Sequence, residues 1–73
     1  MSLGENIRAR RENVGMTQTA LAGLAQCTVG AISQFESCRT VPNAYTFAAI
    51  ARALGVTMDE LMNGKPTRAE ERA

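Results

Sequence analysis

Between Thr17 and Glu36, two short helix-forming runs are separated by only Gln26-Cys27-Thr28, and no other stretch restricts the fold of this chain as strongly. Thr17 is placed to cap the run from Gln18 to Ala25, with Leu21, Ala22 and either Leu24 or Ala25 turned inward. Thr28 is placed to cap a second run through about Ser37, with Ile32 and Phe35 inward. So short a connection cannot lay the two helices antiparallel with a free loop between them. It forces a crossing of roughly 90–120°, a helix-turn-helix. Ala22 sits where a larger side chain would hold the helices apart. Cys27 and Ile32 are apolar where the turn and the second helix must pack on the first.

The rest of the chain reads in the same way. Ser2 followed by Glu5 is a capping-box pattern, and the helix it opens carries Leu3, Ile7 and Val14 on one stripe, with Arg11 in that stripe and Gly15 ending it. Asn43 after Pro42 caps a fourth helix whose Phe47, Ile50, Ala51 and Leu54 fit the i, i+3, i+4, i+7 pattern, stopped by Gly55. Thr57 with Glu60 forms a second capping box for a short fifth helix carrying Leu61, closed by Asn63-Gly64. Met58, Leu61 and Met62 are core by default, although a short helix with this much apolar surface also suits a dimer seam. The expectation is an all-α domain of five short helices over 1–64, followed by a polar tail over 65–73 in which Thr67 and Glu70 start at most a frayed turn.

Composition removes several classes of function. A chain of 73 residues is one domain and buries only about 60% of its unfolded surface, so caps and small packing details matter. There is no histidine, hence neither the commonest metal ligand nor the commonest general base. No paired catalytic carboxylates, Gly-rich phosphate loop or metal-ligand spacing stands out, so an enzyme, a metal and a cofactor are not expected. Cys27 and Cys38, without a secretory leader, read as free thiols of a cytoplasmic protein, Cys27 packed and Cys38 in a loop. No apolar run spans a bilayer. Through Gly64 the bases Arg8, Arg10, Arg11, Arg39 and Arg52 balance Glu5, Glu12, Glu36, Asp59 and Glu60, so any polyanion must be met by local placement of charge. Arg8 reads as part of a solvated face, and Arg10 as within reach of a phosphate.

The run MTQTALAGLAQCTVGAISQFES resembles the helix-turn-helix core of the Cro/C1-type, lambda-repressor-like (XRE) family, and AIARALGVTMDELMNG resembles its fourth and fifth helices. The resemblance covers about Leu3 to Gly64. It implies a sequence-specific, DNA-binding transcriptional regulator, a repressor acting as a homodimer on pseudo-palindromic double-stranded DNA, with the third helix in the major groove. Carried over by position, it implies base contacts from Thr28, Val29, Gly30, Ser33 and Gln34. It implies phosphate contacts from Thr17 and Gln18 at the start of the second helix, where unpaired N–H groups favour an anion, and from Arg39, Thr40 and Asn43 after the third. Arg11 and Glu36 are the family's structural ion pair, and the dimer contact falls near Met58, Glu60 and Met62. No membrane and no small-molecule ligand are implied.

The chain departs from that family at four positions. Gln26 and Cys38 stand where glycine is usual. Val29-Gly30 stands where long polar side chains are common. Valine packs against a thymine methyl or is a plain surface residue; Gly30 reads nothing but lets the helix backbone approach the bases. Gln34, or Gln18, is the residue suited to adenine, and without the family context Gln34 is an ordinary solvated side chain. The same fold and length serve phage repressors, antitoxins and restriction-modification controllers. A fold of this kind used only as a protein-interaction module is the rival from another class, favoured by the neutral body.

Overall fold

Each helix starts where a side chain has taken over one of the N–H groups that a helix leaves unpaired. The computed structural model describes residues 2–64; positions 65–73, with the expected tail and its Thr67 and Glu70, lie outside the described residues. Within them run α1 (Leu3–Asn13), α2 (Gln18–Ala25), α3 (Val29–Glu36), α4 (Ala44–Leu54) and α5 (Met58–Asn63), with no strand. Ser2, Thr17, Thr28, Asn43 and Thr57 each accept a backbone N–H through the side chain. In α1 and α5 the box closes: the Ser2 N–H donates to Glu5 Oε1 at 3.0 Å, and the Thr57 N–H to Glu60 Oε1 at 2.8 Å.

Both sides of the turn end in left-handed backbone. Gln26 has φ 58° and Cys38 φ 66°. In each case the next residue closes a Schellman motif, Cys27 N–H to the Ala22 carbonyl at 3.0 Å and Arg39 N–H to the Gln34 carbonyl at 2.9 Å. Side chains at such positions cost on the order of 1 kcal/mol apiece. The fold keeps the glycine geometry without the glycine.

The core is aliphatic. Ile7, Leu21, Ile32, Ile50 and Leu54 are wholly buried, joined by Ala22, Ala25, Phe35, Phe47, Ala51 and Leu61. Helix α2 packs on α3 and α4, while α1 packs on α3 and α5. Between Leu24 and Ala25 the inward residue is Ala25, and Leu24 is exposed. Val14 does not continue the α1 stripe. The helix has ended at Asn13, and Val14 is its exposed C-cap. On α5 only Leu61 is buried, and Met58 and Met62 face outward.

Two buried residues of α1 carry no apolar signal at all. A Cβ at Gly4 would overlap the carbonyl oxygen of Phe35, so the missing side chain is what lets α1 reach the end of α3. Asn6 is 3% exposed and donates from Nδ2 to the carbonyls of Leu61, at 3.0 Å, and Met62, at 3.2 Å.

Candidate nucleic-acid interface

The outer face of α3 follows from where its inner face must point. Ile32, Phe35 and Glu36 are buried, which leaves Val29, Gly30, Ser33 and Gln34 exposed along one side of the helix. Thr28 heads that face. Its Oγ1 already accepts the Ala31 N–H at 3.0 Å, so the hydroxyl hydrogen and one further lone pair are what it still offers. Gly30 lies in the open: the nearest atom to an added Cβ would be Thr28 Oγ1 at 3.9 Å. The fold does not require glycine there.

At one end of this face lies the start of α2, where Thr17 Oγ1 accepts the Ala20 N–H at 3.0 Å and the first helical amides have no partner within the helix. After that same end of α3 come Arg39, Thr40 and Asn43, all exposed. Arg39 forms no salt bridge among the described residues, and Asn43 Oδ1 accepts the Thr46 N–H at 2.9 Å. Val41 in this loop and Tyr45 in the first turn of α4 are also strongly exposed, Tyr45 at 90%. Neither was expected in the site. An aromatic residue lying outside the Phe47–Ile50 stripe was the only signal of it.

A buried polar cluster fastens these pieces to one another. Arg11 Nε donates to Glu36 Oε2 at 2.6 Å and Nη2 to Oε1 at 3.1 Å, a bidentate pair with little solvent access. The same guanidinium donates through Nη1 to the Met16 carbonyl at 2.8 Å. Hydrogen bonding to Glu36 holds the Arg11 pKa above its ordinary value, against a smaller opposing effect of burial. Gln18 Nε2 donates to Glu36 Oε1 at 3.0 Å, which brings the start of α2 against the end of α3.

The helix-turn-helix domain family matches residues 2–63. The chain belongs to that family. The helix-turn-helix domain is 39% identical over 62 residues to the repressor protein C2 of Salmonella phage P22, a match covering 85% of this chain and 29% of that protein. It is 34% identical over 64 residues to the HTH-type transcriptional regulator DdrOP3 of Deinococcus deserti, covering 88% and 50% of the two chains. The chain thus spans at most half the length of these two relatives. Among solved structures it is similar to the P22 c2 repressor in complex with a synthetic operator, with TM-score 0.83 and 37% identity over 89% of this chain and 98% of that one. It is also similar to the solution structure of the DNA-binding domain of the P22 c2 repressor, with TM-score 0.84 and 38% identity over 88% and 84%.

Not every expected contact of the helix-turn-helix domain falls on this face. Arg10 is held elsewhere, its Nε donating to the Leu54 carbonyl at 3.1 Å and its Nη1 to Asn13 Oδ1 at 3.4 Å. That carbonyl is the last of α4, and a cation there also suits the helix dipole. Arg8 pairs in solvent with Glu12 at 3.3 Å. On α5, Met58 and Met62 are 37% and 54% exposed, while Glu60 serves the Thr57 cap. Cys27 is half-buried, and burial pushes its thiol pKa up. Cys38 is exposed at the end of α3, its Sγ 2.9 Å from Ser2 Oγ. Among the described residues no group of three or more His, Cys, Asp or Glu could hold a metal ion, and no helix is long and apolar enough to cross a membrane.

Proposed function

We propose that the domain is a sequence-specific DNA-binding transcriptional regulator, a repressor that inserts α3 into the major groove of a pseudo-palindromic operator. One observation carries the reading: an exposed α3 face of Val29, Gly30, Ser33 and Gln34 is joined, at the C-terminal end of α3, by the start of α2 with Thr17 and Gln18 and by the exposed Arg39, Thr40 and Asn43 that follow the helix. Its likeness to a repressor crystallised on an operator supports the same reading. The exposed Met58 and Met62 of α5, with Glu60 beside them, support a homodimer that sets two α3 helices about 34 Å apart. A regulator of this kind is cytoplasmic and has no enzymatic activity. Arg10, occupied on α4, is the weakest member of the phosphate set.

Selection of duplexes from a random pool tests this reading directly. The expected product is a pair of half-sites about one helical turn apart, with thymine under Val29 and adenine under Gln34 or Gln18. A G·C-rich consensus under α3 overturns the base assignments. No retained duplex at about 50 mM salt overturns the function and favours the protein-interaction module, for which the neutral body is the supporting observation. Since the fold leaves Gly30 free to carry a side chain, Gly30→Ala should stabilise the domain by roughly 0.8–1.0 kcal/mol. Its DNA affinity should fall nonetheless, because a methyl group then separates the helix backbone from the bases. Unchanged affinity in a binding assay removes close approach from the account of Gly30.

A further inference from the structure

Among the residues of the expected phosphate set, Gln18 is tied to the interior in a way its neighbours are not. A glutamine in the first turn of a helix has three side-chain torsions, and ordering it only on contact weakens binding by about three- to tenfold. Here the carboxamide is already placed, because Nε2 donates to Glu36 Oε1 at 3.0 Å. Glu36 is itself fixed, with its side chain only 4% exposed.

A carboxylate beside a DNA phosphate would ordinarily repel it. Arg11 removes that objection. Its bidentate contacts of 2.6 and 3.1 Å balance the charge of Glu36 where little solvent reaches the pair. Its third contact, to the Met16 carbonyl at 2.8 Å, holds the backbone just before Thr17. One guanidinium therefore fixes both the entry to α2 and the carboxylate that orders the first side chain of α2.

We propose that Glu36, neutralised by Arg11, is a positioning residue for DNA binding: it occupies one N–H of the Gln18 carboxamide and thereby orients the other for a DNA phosphate. This rests on the reading of Gln18 as a phosphate contact. The ion pair then serves recognition as well as architecture, and it does so through Gln18.

The test is a double-mutant cycle on a selected duplex, with affinity and melting temperature measured for wild type, Glu36→Gln, Gln18→Ala and the double variant. Any effect of the unbalanced Arg11 is common to both backgrounds, so the affinity lost on Glu36→Gln should be about three- to tenfold greater in the wild-type background than in the Gln18→Ala background. The effect of Glu36→Gln on melting temperature should come mainly from Arg11 and so persist in both backgrounds, differing between them only by the Gln18–Glu36 bond itself. An equal loss of affinity in both backgrounds overturns the proposal. Should Glu36→Gln not fold, the Gln18 side-chain amide of the free wild-type protein decides: one N–H proton shifted downfield and slow to exchange supports the proposal, and free-amide shifts and exchange rates overturn it. Full affinity in Gln18→Ala overturns both this proposal and the phosphate role of Gln18, leaving the DNA-binding reading intact. Wild-type protein that binds no duplex overturns all three.

Discussion

Helices α1 and α4 are both 11 residues long and both open on a side-chain cap, yet they are held in place by different means. Helix α4 buries Phe47, Ile50, Ala51 and Leu54, an uninterrupted apolar stripe. Helix α1 buries Gly4, Asn6 and Ile7. Its polar side chains then reach the backbone ends of other helices: Asn6 the last carbonyls of α5, Arg10 the last carbonyl of α4, Arg11 the carbonyl that leads into α2. Gly4 lies beneath the carbonyl of Phe35 near the end of α3. One helix is a wedge of hydrocarbon and the other a clamp on helix termini. The clamp suits a chain this small, because carbonyls without an intrahelical partner are satisfied while little apolar surface is used.

The difference should be plainest in what a single truncation does. Ile50→Ala on α4 removes a wholly buried side chain and should cost about 2–5 kcal/mol in urea denaturation. That is a large share of the roughly 5–15 kcal/mol that holds a domain together. A loss under about 1 kcal/mol would mean that α4 is not the wedge described.

On α1 the informative change adds an atom. Gly4→Ala should destabilise by about 1–3 kcal/mol, because the new methyl group meets backbone that cannot rotate away. Helix propensity alone predicts the opposite sign, a gain of roughly 0.8–1.0 kcal/mol. A stabilised Gly4→Ala protein would break the comparison.

This contrast also explains which parts of the fold and site were legible in the sequence. Helix α4 and the caps Ser2, Thr17, Thr28, Asn43 and Thr57 were, because periodicity and capping are local patterns. The inward Ile32 and Phe35 of α3 were legible for the same reason, whereas the residues of its outer face were named through the family resemblance. Gly4 and Asn6 were not, since their partners lie far along the chain and nothing in their immediate neighbours records the contact. Val14 was misread because a stripe continues on paper past the point where the helix stops. The Met58 and Met62 default failed because hydropathy alone does not say which way a two-turn helix faces. The left-handed geometry at Gln26 and Cys38 has no signal in either residue type; only their standing where the family usually carries glycine points to it. The Gln18–Glu36 bond was out of reach, because polar pairs between helices leave no periodic trace.

A smaller effect separates the two helices locally. Asn6→Ala removes the donors to the Leu61 and Met62 carbonyls, and with them a buried Oδ1 that has no partner among the described residues. The two changes oppose one another, so the net loss should be about 1 kcal/mol. Hydrogen exchange should locate it: amides of α5 should exchange faster at a pH and temperature where those of α4 do not change. Equal acceleration in both helices would mean that Asn6 acts on the whole core and not as a clamp on α5.

The smallest expected effect concerns the start of α1 and its dependence on pH. The Ser2 backbone N–H holds the Glu5 carboxyl below its ordinary value of 4.5, with the Ser2 side chain acting in the same direction. A carboxyl whose pKa is lowered on folding stabilises the protein above its unfolded pKa, and that stabilisation is lost as pH falls through the folded one. The melting temperature of wild type should therefore exceed that of Glu5→Gln near neutral pH, with the difference shrinking below about pH 4.5. Glu5 is fully exposed, so the difference should be small and should shrink further with added salt. A difference that instead grew on acidification would mean the charge on Glu5 opposes the fold. The polar hold of α1 would then begin at Asn6 and not at its N-terminal cap.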